Sequence, residues 1–452
     1  MYLLWVIPLF ASAKTNLTQN WKEVEKSKTT IGYEKFIRLN SPQNKSNNSD
    51  WLDISRQYLY KKNSIEGKFS GDFRFYLNNK ETALSLADAY LRYKGKNQSV
   101  YTLGKQRLDW HPNESFWQLD HFQNTRGFRL MDLNNEGLTG FHYKTRDGRI
   151  KTEVFLSYFY IPGLNPSVKV EDGTVNSNTD WYKKPPKKTI ISNQEVDIFY
   201  GLESPDIRDI IVQKSLGLRM SLDWGKENMK GSISAFSIYK PERRLRTNAE
   251  AYYDPTIDKV VATANPVVNH HMIHGLDLRQ NYKNLQSVLG ITTVDPNSKL
   301  GADFDSISLE LSNNRTLQSE YFKVEPVYSR ETYAHFSTTL NYKRSNILFN
   351  YIHYITEHEN EGDDFYSETT KWARAAGLGS SVELNDWVYT LLNFRYDLKR
   401  KDNLLNVQLT LSPLRNININ IGAELIKSPK TNSYWSAYRT NDTFYVNFRK
   451  WF

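Results

Sequence analysis

Cysteine is absent from the 452-residue chain, so no disulfide framework and no thiolate metal site can hold it together. That absence fits an exported protein that does without disulfides. Apolar residues are also scarce, at 39% of the chain, and the mean hydropathy is −0.64. After the N-terminus no apolar run reaches about 20 residues, which excludes a helical membrane protein. No domain break is visible either, in a chain too long for one ordinary soluble sandwich. A barrel reconciles these absences. Its size grows with strand number rather than core volume, and half of every strand is polar. What the chain does have is aromatic residues, with 11 Trp, 29 Tyr and 22 Phe, enough for an outer face with aromatic girdles.

The formal charge of +9 is spread among carboxylates along the whole chain. Nucleic-acid binding expects a clustered basic patch instead.

The C-terminal stretch carries the plainest pattern. Leu405, Val407, Leu409 and Leu411 alternate with Asn406, Gln408 and Thr410, and Ser412-Pro413-Leu414-Arg415 breaks the run. Ile417, Ile419, Ile421, Ala423 and Leu425 then alternate with Asn418, Asn420, Gly422 and Glu424. Phe444, Val446, Phe448 and the terminal Phe452 share one face, with Asn447, Arg449 and Trp451 on the other. Successive side chains of a strand face opposite ways, so each run builds a greasy face and a polar one. This is the expected end of a transmembrane β-barrel.

Residues 1–13 read as a signal peptide: apolar Leu3 to Phe10, then Ala11-Ser12-Ala13 as cleavage pattern, without a charged n-region. A buried N-terminal strand is the alternative. No Cys follows the cleavage site, which excludes a lipid anchor. Residues 14–50 form a polar segment or a first strand, and 51–452 a single barrel. Long loops fall near 108–135, 161–213 and 240–270. In the second, Ser204 is the expected N-cap of a short helix over Ile207 to Ile211. Strands are expected near 272–281, 285–294, 304–312, 318–328 and 333–342, among others.

Short and long breaks alternate. Breaks at 95–97, 146–149, 225–228, 282–284, 343–345, 384–386 and 412–416 fall on one rim, the periplasmic one if Phe452 ends there. Those at 108–135, 161–213, 240–270, 357–370 and 427–440 fall on the other. The fold class is therefore all-β: a transmembrane antiparallel up-and-down β-barrel of about 18 strands, range 16–20. Eighteen are counted from Ile65 onward, and two weaker runs precede them.

Asp88-Ala89-Tyr90-Leu91-Arg92 followed by Tyr101 to Trp110, with Gly104-Lys105-Gln106 inside, resembles Gram-negative outer-membrane porin-like proteins. Lys105 stands where Arg is commoner. The hairpin and the C-terminal signature look most similar to the alginate-export family, which implies a basic-lined lumen passing an anionic polysaccharide. Lys450 replaces the usual third-from-last aromatic. A terminal Phe452 implies recognition by the barrel-assembly machinery, and the outer membrane supplies lipid and lipopolysaccharide as partners.

The polar face should turn to the lumen. Asp72 with Arg74, Asp277 with Arg279, Arg395 with Asp397, and Arg219 with Asp223 are same-face pairs along single strands. They read as a salt-bridge lattice, or as an electrostatic filter with a cation surplus. Constriction candidates are Arg74, Arg92, Lys105, Arg107, Arg126, Arg129, Arg219, Arg279 and Arg395, with Arg92, Arg126 and Arg129 expected to be unpaired. The facing of Lys105 and Arg107 stays open, because Tyr101 and Leu103 share their parity: either the strand bulges or those two look inward.

His270 and His274 lie on a strand, where their spacing does not bring two imidazoles onto one helical face. The acidic loop at 357–368 lacks the calcium-loop order. Ser115, His111, His121 and Asp120 lie close in sequence without a nucleophile-elbow motif. No cofactor, metal or catalytic residue is expected. The expected function is a channel for polar or anionic solutes across the outer membrane, with both termini periplasmic. The competing reading is a closed structural or surface-recognition barrel plugged by its loops.

Overall fold

The computed structural model describes residues 24–39, 48–77, 81–126, 134–163, 168–177, 185–191, 194–226, 229–243, 245–296, 321–324, 330–356, 370–431 and 433–452. The signal-peptide segment, the acidic run 357–368 and Arg129 lie outside the described residues.

Eighteen antiparallel strands close into one barrel. In chain order they are β1 (Val24–Arg38), β2 (Asn48–Lys62), β3 (Ile65–Tyr76), β4 (Glu81–Lys94), β5 (Val100–Gln106), β6 (Leu138–Asp147), β7 (Ile150–Ser157), β8 (Ser215–Lys226) and β9 (Met229–Pro241). The circuit continues with β10 (His270–Tyr282), β11 (Leu285–Asp295), β12 (Glu331–Tyr342), β13 (Ser345–Thr356), β14 (Arg374–Asn385), β15 (Val388–Asp397), β16 (Asn403–Leu414), β17 (Ile417–Lys427) and β18 (Thr443–Trp451). Each pairs with its sequence neighbours. The last pairs with the first, from Thr30↔Trp451 to Arg38↔Thr443, which leaves no open edge.

The alternation sorts side chains as the sequence expects. Ile31, Tyr33, Leu52, Ile54, Phe73, Phe75, Phe444, Val446 and Phe448 are exposed on the outside, whereas Glu34, Asp53, Arg74, Glu424 and Asn447 are buried inside. Near one rim, outward Tyr93, Tyr101 and Tyr143 stack side by side, and Lys283 and Lys343 lie over Tyr282 and Tyr342. This is the aromatic girdle of a membrane interface, with lysines snorkelling past it. That rim carries the short turns. Gly148, Lys283 and Lys343 open two-residue turns at positive φ, the conformation that lets a hairpin follow the strand twist.

The strand total agrees with the sequence, but two of its contributors do not. The runs at 24–38 and 48–62 are barrel strands, so 16 strands, not 18, lie from Ile65 onward. β11 pairs directly with β12, through Leu285↔Leu340, and of the strands expected at 304–312 and 318–328 the first lies outside the described residues. Of that stretch, Tyr321–Val324 pairs with Ala249–Tyr252 in a separate sheet. The two added strands form a pair and β11 meets β12 directly, so short and long connections still alternate between the two rims.

The opposite rim carries the long connections. Segments 188–191, 194–202, 259–267, 246–254 and 321–324 build a five-stranded sheet beyond the barrel, around buried Val196, Tyr200, Ala251, Val260 and Ala262. The short helix α1 (Ile207–Ile211) forms as expected, but Asp206 caps it, accepting from the Arg208 N–H at 2.9 Å.

Candidate pore and its constriction

The loop after β5 runs across the lumen rather than away from it. Leu108, Trp110, Phe116, Trp117, Leu119 and Phe122 are buried against inward side chains of distant strands, among them Phe236, Ile273, Tyr333, Ile352, Leu404 and Ile426. Trp372 fastens it from the far wall, donating its indole N–H to the Trp117 carbonyl at 2.9 Å and packing on Trp435. A Cβ at Gly377 would overlap the Phe116 ring, so this wall residue is small where the loop arrives. Beyond Phe116, Arg395 lies 4.9 Å over the same ring.

Polar groups complete the seating. Asp120 binds both Arg243 and Lys371. Glu114 is buried and accepts from the Phe122 N–H at 2.6 Å; burial pushes its carboxyl up to about 7. Burial also drives the His121 imidazole down to about 3, and that of His111 well below its ordinary value. Asn113 meets the wall residue His335 at 2.9 Å. Ser115 instead accepts from Asn135, so Ser115, His111 and Asp120 point to separate partners.

Gly104 settles the open question of facing. Its φ is +123°, and a Cβ would overlap the Ala89 carbonyl. Only glycine accepts this backbone. The twist there lets Tyr101 and Leu103 face outward while Lys105 turns in to a buried ion pair with Glu136.

Two of the four expected pairs along single strands form and two do not. Arg74 does hold Asp72 at 2.8 Å, and Arg279 lies 3.8 Å from Asp277. Arg219 approaches Glu153 at 3.9 Å, not Asp223, and Asp397 caps backbone N–H groups of Ala373, Lys399 and Arg400, not Arg395. Directly opposed residues lie about 5 Å apart, closer than successive same-face residues of one strand. Arg92 is not unpaired; it binds Glu66 at 2.9 Å. Arg126 falls in a short strand, 124–126, paired with 134–136.

Four carboxylates on this wall, Glu66, Asp88, Glu153 and Asp223, are each shared by two cations. Asp88 takes Lys68 at 2.8 Å and Arg107 at 3.2 Å; Glu66 takes Lys61 at 3.1 Å as well as Arg92. Glu153 takes Lys144 at 2.8 Å and Arg219, while Asp223 takes Lys151 at 2.6 Å and Arg146 at 3.4 Å. Lys61, Glu66, Lys68, Lys144, Lys151 and Glu153 were not singled out from sequence, and Asp88 only as part of the segment that resembles porins. The Asp147-Gly148 turn could have found one pair, since it fixes Lys144 opposite Glu153. Another part of the wall is lined by amides and hydroxyls: Gln408, Thr410, Asn420 and Asn447 form a hydrogen-bonded ladder ending on the Glu34 carboxylate.

No family model matches the chain, and no curated protein matches it in sequence. Solved structures do. OccK2 (OpdF) of Pseudomonas aeruginosa, in complex with glucuronate, aligns over 94% of this chain and 96% of its own, with TM-score 0.50 and 8% identity. OccAB4 of Acinetobacter baumannii aligns over 96% and 99%, with TM-score 0.49 and 11% identity. This chain has the porin fold.

Proposed function

We propose that the protein is a Gram-negative outer-membrane channel for small polar or anionic solutes, not an enzyme. The observation that carries this is the sharing of carboxylates. Each of Asp88, Glu153 and Asp223 meets two cations, so one-to-one pairing does not consume the positive charge along this wall. Pairing therefore does not cancel the field. Charges in a narrow lumen with low-dielectric walls are poorly screened, and a modest surplus biases which ion enters. The anionic polysaccharide implied by the alginate-export resemblance is a less favoured cargo. A loop packed across the lumen from Trp110 to Trp372 favours small solutes. In this reading the long connections face the exterior beside lipopolysaccharide. The termini are periplasmic, and Phe452 serves the assembly machinery.

Reversal potentials across a potassium chloride gradient test the proposal. Chloride should be preferred, and replacing Arg107, Lys144, Arg146 and Lys151 by Gln should bring the preference close to unity. A cation-selective wild type would overturn the filter. A bilayer that stays silent until residues 108–123 are deleted would favour the closed, plugged barrel instead.

A further inference from the structure

Where β7 and β8 leave the barrel, the apolar outer surface does not stop. On β7 the outward parity that holds Leu156 continues to Tyr158, and on β8 that of Leu216 continues back to Val212. The Tyr160 N–H donates to the Ile211 carbonyl at 2.8 Å, so α1 and the segment after β7 form one surface beyond the strand ends. Six of its side chains stand in the open: Tyr158 (64% exposed), Phe159, Ile161, Ile207 (70% exposed), Ile211 and Val212. They are held there. Ser157 bonds the Phe159 N–H at 2.9 Å, and the Tyr160 hydroxyl is bound inward to the Glu242 carbonyl. Elsewhere on this rim exposed apolar residues stand singly, as Leu39, Leu77 and Ile355 do, and Thr332 beside Thr356 and His353 beside Arg374 are polar.

We propose that this patch is a flange seated in the lipid leaflet at the long-loop rim, with acyl chains as its occupant. An apolar patch of this size is seldom left in water. Its continuity with the lipid-facing column of Leu156, Leu216 and Leu218 makes lipid the adjoining phase. Short amphipathic segments with aromatic and branched side chains lie at that depth. The flange requires only that the barrel sits in a membrane, not that it conducts. It anchors the connection that carries the outer sheet, so that sheet is tethered to the bilayer on one side of the mouth.

The lack of native cysteine makes the test clean, because a single introduced thiol labels one site. The full chain carrying Ile207→Cys or Phe159→Cys would be spin-labelled and refolded into phosphatidylcholine vesicles. Leu216→Cys serves as the lipid reference and Asp172→Cys as the aqueous one. Expected is accessibility to oxygen with loss of accessibility to a water-soluble nickel complex at 207 and 159, as at 216. Nickel accessibility equal to that at 172 would overturn the flange. So would shielding from both reagents with spin–spin broadening between copies, since a second protein would then cover the patch.

Discussion

The indole N–H of Trp372 and the carbonyl of Trp117, 255 residues apart, share a buried 2.9 Å hydrogen bond. It is a direct tie between the inward loop and the far wall. Trp372→Phe keeps the ring but leaves the carbonyl without its donor, at a cost of about 1–3 kcal/mol for a buried group. Single-channel current should become noisier or larger while the barrel stays folded. An unchanged trace would mean the loop is held by apolar packing alone.

Lys105 and Glu136 are both buried, and each neutralises the other. Removing one partner strands a buried charge, so Lys105→Met or Glu136→Gln should each destabilise by about 3–5 kcal/mol. The double variant should recover much of that loss. Urea unfolding in lipid gives the coupling directly. Additive losses would show that the pair is not energetically one unit.

Ile421 faces outward midway along β17, paired with Val446 and Leu409, whereas Asn420 faces in and bonds Thr410 and Asn447. Arginine at 421 should cost about 2–4 kcal/mol at bilayer mid-depth. Arginine at 420 should cost about 1 kcal/mol, the scale of the hydrogen bonds it disrupts. Equal losses in a urea titration would mean that the two faces are exchanged.

Seating of the inward loop should depend on pH in two opposed ways. Glu114, raised to about 7, supports the packed loop as a neutral acid; that contribution is full below its ordinary value of 4.5 and lost as pH rises through 7. His111 and His121, both held low, contribute above 6.5 and lose that contribution as pH falls. Two imidazoles outweigh one carboxyl on the acid side, so seating is tightest near neutrality. Channel conductance should rise on acidification towards pH 4.5, and a double His→Gln variant at 111 and 121 should flatten that rise. A pH-independent wild-type conductance would refute the assignment.

The alternation of Leu405 to Leu425, the turn at Asp147-Gly148 and the terminal aromatic run determine the barrel by themselves. Strand facing and tight-turn geometry are local properties with period two, so sequence order alone carries them. Rim assignment is equally local, since adding or removing strands in pairs cannot change it. The contents of the lumen are different. Trp117 meets Trp372 and Phe116 meets Gly377 only after the wall has closed. Which carboxylate each cation takes depends on register between strands, as Arg219 shows by lying nearer Glu153 than Asp223. Whether residues 321–324 enter the wall or the outer sheet likewise depends on a remote partner at 249–252. Side-chain direction is fixed along one strand, whereas long-range pairing is decided by competition among all the strands of the closed barrel.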